Sequence, residues 1–215
     1  FGFRIIRKAE RCVVATLGEL SAFDVYGADR PRIVHVPNGI NQEDYNERGD
    51  GEFWFELGFE DQSYLLFIGR LNEIKGPDLL LNAFCLLEKE FADVHLVYIG
   101  PDEGMQRDLE QISRTYSKSE KVHFLGYVSP QDKSRLINGS KFLVVPSRSE
   151  AMSIVALESG VAGRPVMLTD QCGFDEVADT EGGLIVPATI TGLNEGLRKM
   201  LHESTDLDKM GANLK

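Results

Sequence analysis

The sequence has 215 residues, 42% hydrophobic and 27% charged, a composition that supports a packed core and excludes a disordered chain. No apolar run reaches the ~18–20 residues of a membrane span, and a formal net charge of −11 argues against a general nucleic-acid binder. The acidity is local: segment 41–62 holds eight acidic residues against Arg48 alone, which leaves room for an anion site elsewhere.

The chain opens on Phe1, and FGFRIIRKAE lacks the long apolar centre of a signal peptide, so the expectation is a piece of a longer protein. RCVVAT and RIVHVP read as strands, with LGELSAF as a short helix between them. The acidic stretch follows, with a helix over EFWFELGF. Trp54, Phe53, Phe55 and Phe59 there suit a local packing cluster. From 64 to 187 the pattern becomes strand, loop, helix, repeated. YLLFIG (64–69) is a continuous apolar run ending in Gly, as expected of a strand buried on both faces. Pro77 then suits the first position of a helix over PDLLLNAFCLLEKE. VHLVYIG (94–100) is the next strand, DEGMQRDLEQISRTYS a helix with an acidic first turn, and KVHFLGYV (121–128) a third strand. Ser129 and Pro130 start a helix over QDKSRLING. FLVVP (142–146), PVMLT (165–169) and GLIVP (183–187) complete the strands, and a closing helix begins near Thr191. Alternating buried strands and helices predict an α/β fold with a doubly wound parallel sheet. The divisions expected are 1–40 as the tail of a preceding domain, 41–62 as an acidic connection, and 63–215 as the intact domain.

Cys12, Cys85 and Cys172 are odd in number, with no CxxC and no His at metal spacing. Cys85, inside an apolar helical stretch, fits a small core residue, and the cysteine pattern suits a reducing, cytoplasmic location. His95 and His123 fall within strands, as structural histidines do.

In an open parallel sheet, ligands bind beyond the carboxyl ends of the strands. The loop after the first long strand, Gly69-Arg70-Leu71-Asn72-Glu73-Ile74-Lys75-Gly76, carries two cations five residues apart and leads into a helix N-terminus. It suits a diphosphate, and it equally suits a solvated turn. It is neither a Walker loop nor a GxGxxG fingerprint. The loop after FLVVP places Glu150 and Glu158 eight positions apart around a helix start near Ser153. A helical spacing separates them by ~12 Å, too far for a glycosidase pair at roughly 5–9.5 Å. That span suits the two ends of an elongated ligand, or two acids with ordinary helix-dipole and surface roles.

Taken together, GRLNEIKGPDLLLNAF, VYIGPDEGMQRDLE, VHFLGYVSPQDKSRLINGS and VPSRSEAMSIVALESGVAGRPVMLTD resemble, in that order, the C-terminal donor-binding domain of a GT-B fold, group 1 (family 4) retaining glycosyltransferase. HVPNGIN resembles the segment that closes the N-terminal domain in that family. The resemblance covers essentially the whole chain, and the E-x7-E spacing is its most specific part. It implies a Rossmann-like C-terminal half of a GT-B fold and a metal-independent hexosyltransferase. The nucleotide-diphosphate sugar is a co-substrate rather than a cofactor. It implies Arg70 and Lys75 on the donor diphosphate, with Ser153, Ile154 and Val155 offering backbone N–H groups. Glu150 is then the catalytic carboxylate near the transferred sugar, and Glu158 the ribose partner. Gly69, Ala151, Met152, Leu125, Tyr127 and Val128 would form the sugar and base pocket, with Asp102 and Glu103 at its rim. The acceptor, a sugar, glycan or lipid, and any membrane association would belong to the N-terminal domain. The family usually places Gly after the first Glu and again two residues on; Ala151 and Ser153 depart from that. Ala151 thus limits positive φ and adds a methyl group. Cys172-Gly173 likewise stands where Gly-Gly is usual. A non-catalytic nucleotide-sugar-binding or regulatory module, or a related GT-B sugar-nucleotide enzyme, is the alternative.

Overall fold

A computed structural model of the chain describes residues 2–16, 19–60, 63–87, 91–202 and 204–215. Two ends of expected helices, Leu17–Gly18 and Glu88–Glu90, lie outside those residues, as do Phe1 and Asp61. The N-terminal portion holds helix α1 (Gly2–Lys8), strand β1 (Cys12–Val14), helix α2 (Leu20–Val25) and strand β2 (Ile33–His35). β1 and β2 pair in parallel, with Cys12 opposite Ile33.

After helix α3 (Gly51–Leu57) come β3 (Tyr64–Ile68), α4 (Pro77–Cys85), β4 (His95–Ile99), α5 (Gln106–Thr115), β5 (Val122–Gly126) and α6 (Pro130–Gly139). The second half runs β6 (Phe142–Val145), α7 (Ile154–Val161), β7 (Val166–Thr169), α8 (Glu176–Asp179), β8 (Gly183–Val186), α9 (Ile190–Leu201) and α10 (Leu207–Leu214). Among the described residues, the main sheet has six parallel strands in the order β5-β4-β3-β6-β7-β8. The chain winds outward from β3 in one direction, then returns and winds outward from β6 in the other. The order therefore reverses between β3 and β6, where such sheets open a crevice at their carboxyl ends.

The period-2 alternation of a strand sorts the core into two layers. Leu65, Phe67, Leu96, Tyr98 and Val144 face one side, beneath Leu80 and Phe84 of α4 and Leu193 and Leu197 of α9. Tyr64, Leu66, Val97, Ile99 and Leu143 face the other, against Leu136 and Ile137 of α6 and Ala156 of α7. Trp54, Phe59 and Tyr45 from the acidic segment are buried in that second layer, while Phe55 points to solvent. The Asn138 amide of α6 donates to Tyr45 O at 2.8 Å and Glu47 O at 3.0 Å, so the segment is fastened to the domain despite its charge.

Three elements differ from the sequence expectation. α5 begins four residues late because Asp102 Oδ1 accepts the N–H groups of Gly104, Met105 and Gln106 at 2.8–3.0 Å. Asp102 thus closes a turn rather than sitting in the helix's first turn. The closing helix is two: α9 ends where His202 turns extended, and Asp206 caps α10 by accepting from Lys209 N. α10 then lays Leu214 against Gly160 and Gly182, where a side chain would collide. α1, in the basic stretch Gly2–Lys8, was not anticipated.

Candidate functional site

The β3 and β6 loops meet over the crevice because one glycine lets their backbones touch. Gly76 caps α4 with φ +67°, and a Cβ there would strike the Pro146 carbonyl oxygen at the end of β6. Only glycine meets both demands. Lys75, the residue before it, is thereby carried across to the opposite loop. Its Nζ lies 2.9 Å from Glu150 Oε1, and Ser147 Oγ donates to Glu150 Oε2 at 2.9 Å. Both charged side chains are partly enclosed, Lys75 at 24% and Glu150 at 12% exposure, so screening by water is weaker than at the surface.

A cavity of about 260 Å³ opens between these loops. Gly69, Arg70 and Lys75 line it from the first loop; Ser147, Glu150 and Met152 line it from the second. Phe67, Ile68 and Val145 form its strand-end floor, and Ile154 and Val155 complete it at the start of α7. Ser153 is fully buried and caps α7, its Oγ accepting from Ala156 N at 3.4 Å. The N–H groups of Ile154 and Val155 belong to the first turn, which has no intrahelical acceptor. The positive end of the helix therefore faces the same space as Lys75.

The second loop is held from two sides. Arg148 forks onto Asp78 of α4, with Nη1 to Oδ1 at 2.8 Å and Nη2 to Oδ2 at 2.6 Å, and also donates to Glu73 O at 2.7 Å. This bidentate pair is the strong geometry for a guanidinium, and it ties the two switch-point loops together. On the far side Glu150 N donates to Gln171 O at 2.9 Å. Gly173, at φ +57°, packs so closely on Ala151 O that a Cβ would collide. Cys172 is buried behind them, with Sγ 3.3 Å from Thr169 Oγ1 and 3.5 Å from Val145 O. A small residue therefore fits the place where a second glycine is usual. Ala151 is not among the residues with positive φ, so the limit expected of it does not operate here: its Cβ introduces no backbone strain.

Arg70 is more than half exposed at the cavity mouth, where its Nη1 meets Glu103 Oε1 at 3.0 Å. Asn72 donates to the other Glu103 oxygen at 2.6 Å. The Asn72 and Arg70 hydrogen bonds hold the Glu103 carboxyl below its ordinary range. Glu158 lies farther along α7, buried and paired with Lys133 Nζ at 2.8 Å. Leu125, Tyr127 and Val128 do not reach the cavity wall; Leu125 and Val128 pack at the second core layer, and Tyr127 is exposed. Ala151 is exposed beside the cavity. The sequence reading missed Arg148, Asp78 and Lys133. Their types carried no signal, because each acts through a partner 25 or 70 positions away. Among the described residues no group of three His, Cys, Asp or Glu is placed to hold a metal ion.

The sequence pattern of the family described as glycosyl transferases group 1 matches residues 51–215. The chain belongs to this family. It is 32% identical over 218 residues to a D-inositol 3-phosphate glycosyltransferase of Nocardia farcinica, covering 97% of this chain and 48% of the relative. The same enzyme of Geodermatophilus obscurus is 30% identical, covering 85% and 43%. The chain thus spans about half the length of the curated relatives it matches. Among solved structures, WaaG, a glycosyltransferase of lipopolysaccharide biosynthesis, superposes with a TM-score of 0.82 at 28% identity, covering 94% of this chain and 56% of that one. Anabaena HepE, solved with UDP and glucose, superposes with a TM-score of 0.85 over 98% and 58% at 18% identity, a likeness of fold. The six-stranded α/β unit is therefore the GT-B domain of a group 1 glycosyltransferase, and its crevice lies at the topological switch point of that fold.

Proposed function

We propose that the chain is the nucleotide-sugar donor half of a retaining, metal-independent hexosyltransferase. The observation that carries this reading is the convergence of Lys75, Arg70, Glu150 and the first N–H groups of α7 on one crevice. A nucleoside diphosphate leaving group gains negative charge as the glycosidic bond breaks. Fixed cations and a helix N-terminus aimed at that charge stabilise the transition state without reorganising. Arg70 and Lys75 take the diphosphate with the N–H groups of Ile154 and Val155. Glu150, freed from Lys75 as phosphate replaces it, turns to the hydroxyls of the transferred sugar, with Gly69, Ala151 and Met152 beside it. Glu158 accepts from the ribose, and Leu125, Tyr127 and Val128 flank the base. Retention follows from attack on the donor's front face, with the leaving phosphate assisting deprotonation of the acceptor. The likeness to D-inositol 3-phosphate glycosyltransferases and the UDP bound in HepE support a nucleotide-sugar donor.

The acceptor is met by the half of the relatives that this chain does not span, so the isolated chain binds donor and transfers sugar poorly. The test is Glu150→Gln in a protein that carries both halves. Turnover falls by ~100-fold or more while nucleoside diphosphate affinity changes by less than about tenfold. Equal losses in both would contradict the catalytic role.

A further inference from the structure

The two cations of the crevice are joined by a chain of hydrogen bonds that passes through the loop after β4. There Gly100 lies so close to Gly69 O that a Cβ would collide, and parallel pairing resumes past the strand ends between Leu71 and Asp102. Leu71 N donates to Pro101 O at 2.9 Å, and Glu103 N donates to Leu71 O at 3.2 Å. Leu71 is 2% exposed, so the bridge is anchored in the core. It sets the Glu103 carboxylate against the first loop. Oε1 accepts from Arg70 Nη1 at 3.0 Å, and Oε2 accepts from Asn72 Nδ2 at 2.6 Å. Asn72 Oδ1 in turn accepts from Lys75 N at 3.0 Å. Asn72, then Arg70, hold the Glu103 carboxyl below its ordinary range, so it is ionised at neutral pH and accepts both bonds. A lone exposed ion pair holds little. Here one carboxylate meets two donors of the same loop, on a backbone fixed independently of its side chain. A guanidinium carries five N–H donors, so the bond through Nη1 leaves donors for an anion.

We propose that Glu103 is a positioning residue for diphosphate recognition: through Arg70 and Asn72 it fixes the outer cation of the crevice relative to the inner one. The inference rests on the donor-site reading above. The Arg70 side chain is 55% exposed and that of Lys75 24%, so Arg70 stands at the mouth and Lys75 deeper. A diphosphate spans both, whereas a monophosphate satisfies one. Glu103 brings a like charge near the anion, yet it supports binding because it orders the long Arg70 side chain in advance. The benefit falls on the ligand that has a second phosphate.

The measurement is calorimetric binding of uridine, adenosine and guanosine diphosphates, each beside its monophosphate, to the 215-residue chain and its variants. Wild type binds at least one diphosphate and prefers it to its monophosphate by about tenfold or more. Glu103→Ala keeps the backbone bridge to Leu71 and the turn closed by Asp102, so the fold persists. It lowers the diphosphate-to-monophosphate ratio by ~3–10-fold. A residue that merely balanced the Arg70 charge would do the reverse, because removing a negative charge favours the more highly charged ligand more. An unchanged or raised ratio overturns the proposal and leaves the donor-site reading standing. In an Arg70→Ala background, Glu103→Ala lowers the ratio no further; a second loss there means that Glu103 meets the nucleotide itself, and the positioning role fails. Wild-type protein that binds none of the six nucleotides would overturn the donor-site reading and the inference with it.

Discussion

Lys75 illustrates how a single side chain is prepared for a ligand. Its charge is balanced by Glu150 at 2.9 Å, and under the proposed function a diphosphate replaces that partner with a stronger one. Lys75→Ala lowers nucleoside diphosphate affinity by ~10–100-fold, the loss of one charge-assisted hydrogen bond; titration calorimetry reads it directly, and an unchanged Kd would contradict the assignment. Arg148 is the indirect case. Lysine keeps the charge and loses the fork onto Asp78, so Arg148→Lys lets the two loops drift. Affinity drops by ~3–10-fold and thermal stability falls with it, by ~1–2 kcal/mol of lost pairing and loop order. Unchanged affinity would mean that the fork does not set the spacing of the loops.

Helix starts and strand ends carry most of the design. α4 and α7 both aim their N-termini at the switch point, one through Gly76 and the other through Ser153. Gly76→Ala combines left-handed strain of ~1–2 kcal/mol with a collision against the Pro146 carbonyl. It therefore destabilises by more than the strain alone, measurable by urea unfolding. At the opposite end of the sheet, His95 Nδ1 and His123 Nε2 are 2.7 Å apart, Lys121 Nζ lies 3.2 Å from His95 Nε2, and Phe59 packs on both rings. Burial, then Lys121 and His123, push His95 down to about 4, against a small opposing pull from Asp93; burial and Lys121 lower His123 too. Both groups are depressed in the folded state, so the stability they contribute is present above pH 6.5 and is lost as pH falls toward 4. Melting temperature declines over that window, and His95→Gln flattens the decline; an unaltered profile in the variant would refute the linkage.

Legibility in the sequence followed the reach of each interaction. Every main strand was readable, because continuous apolar runs such as YLLFIG and FLVVP admit few other fates. The loops that bear Arg70, Lys75 and Glu150 were readable from their place after those runs. α10 was not, since its eight residues pack through one face on glycines distant in sequence. Nor was the docking of the acidic segment, which depends on Asn138 and on the burial of Trp54 and Phe59 rather than on its charge. The Lys133–Glu158 pair joins two helices 25 positions apart, and no local pattern announces such a pair.

Taken entire, the chain is a sheet whose strand order reverses at the point where its cations, its enclosed carboxylate and a helix N-terminus gather. Residues 1–40 add a small parallel pair, touching the second loop where Asn38 Nδ2 lies 3.4 Å from Met152 Sδ. Among the described residues no helix is long and apolar enough to cross a membrane. The claim on which the rest depends is that this crevice binds a nucleoside diphosphate. Calorimetric titration of the 215-residue chain with uridine, adenosine and guanosine diphosphates tests it most directly, beside the Arg70→Ala/Lys75→Ala double variant. The account predicts saturable one-to-one binding of at least one of them, weakened by ~100-fold or more in the double variant. No binding at millimolar nucleotide by folded protein, or binding that the double variant leaves intact, would contradict it.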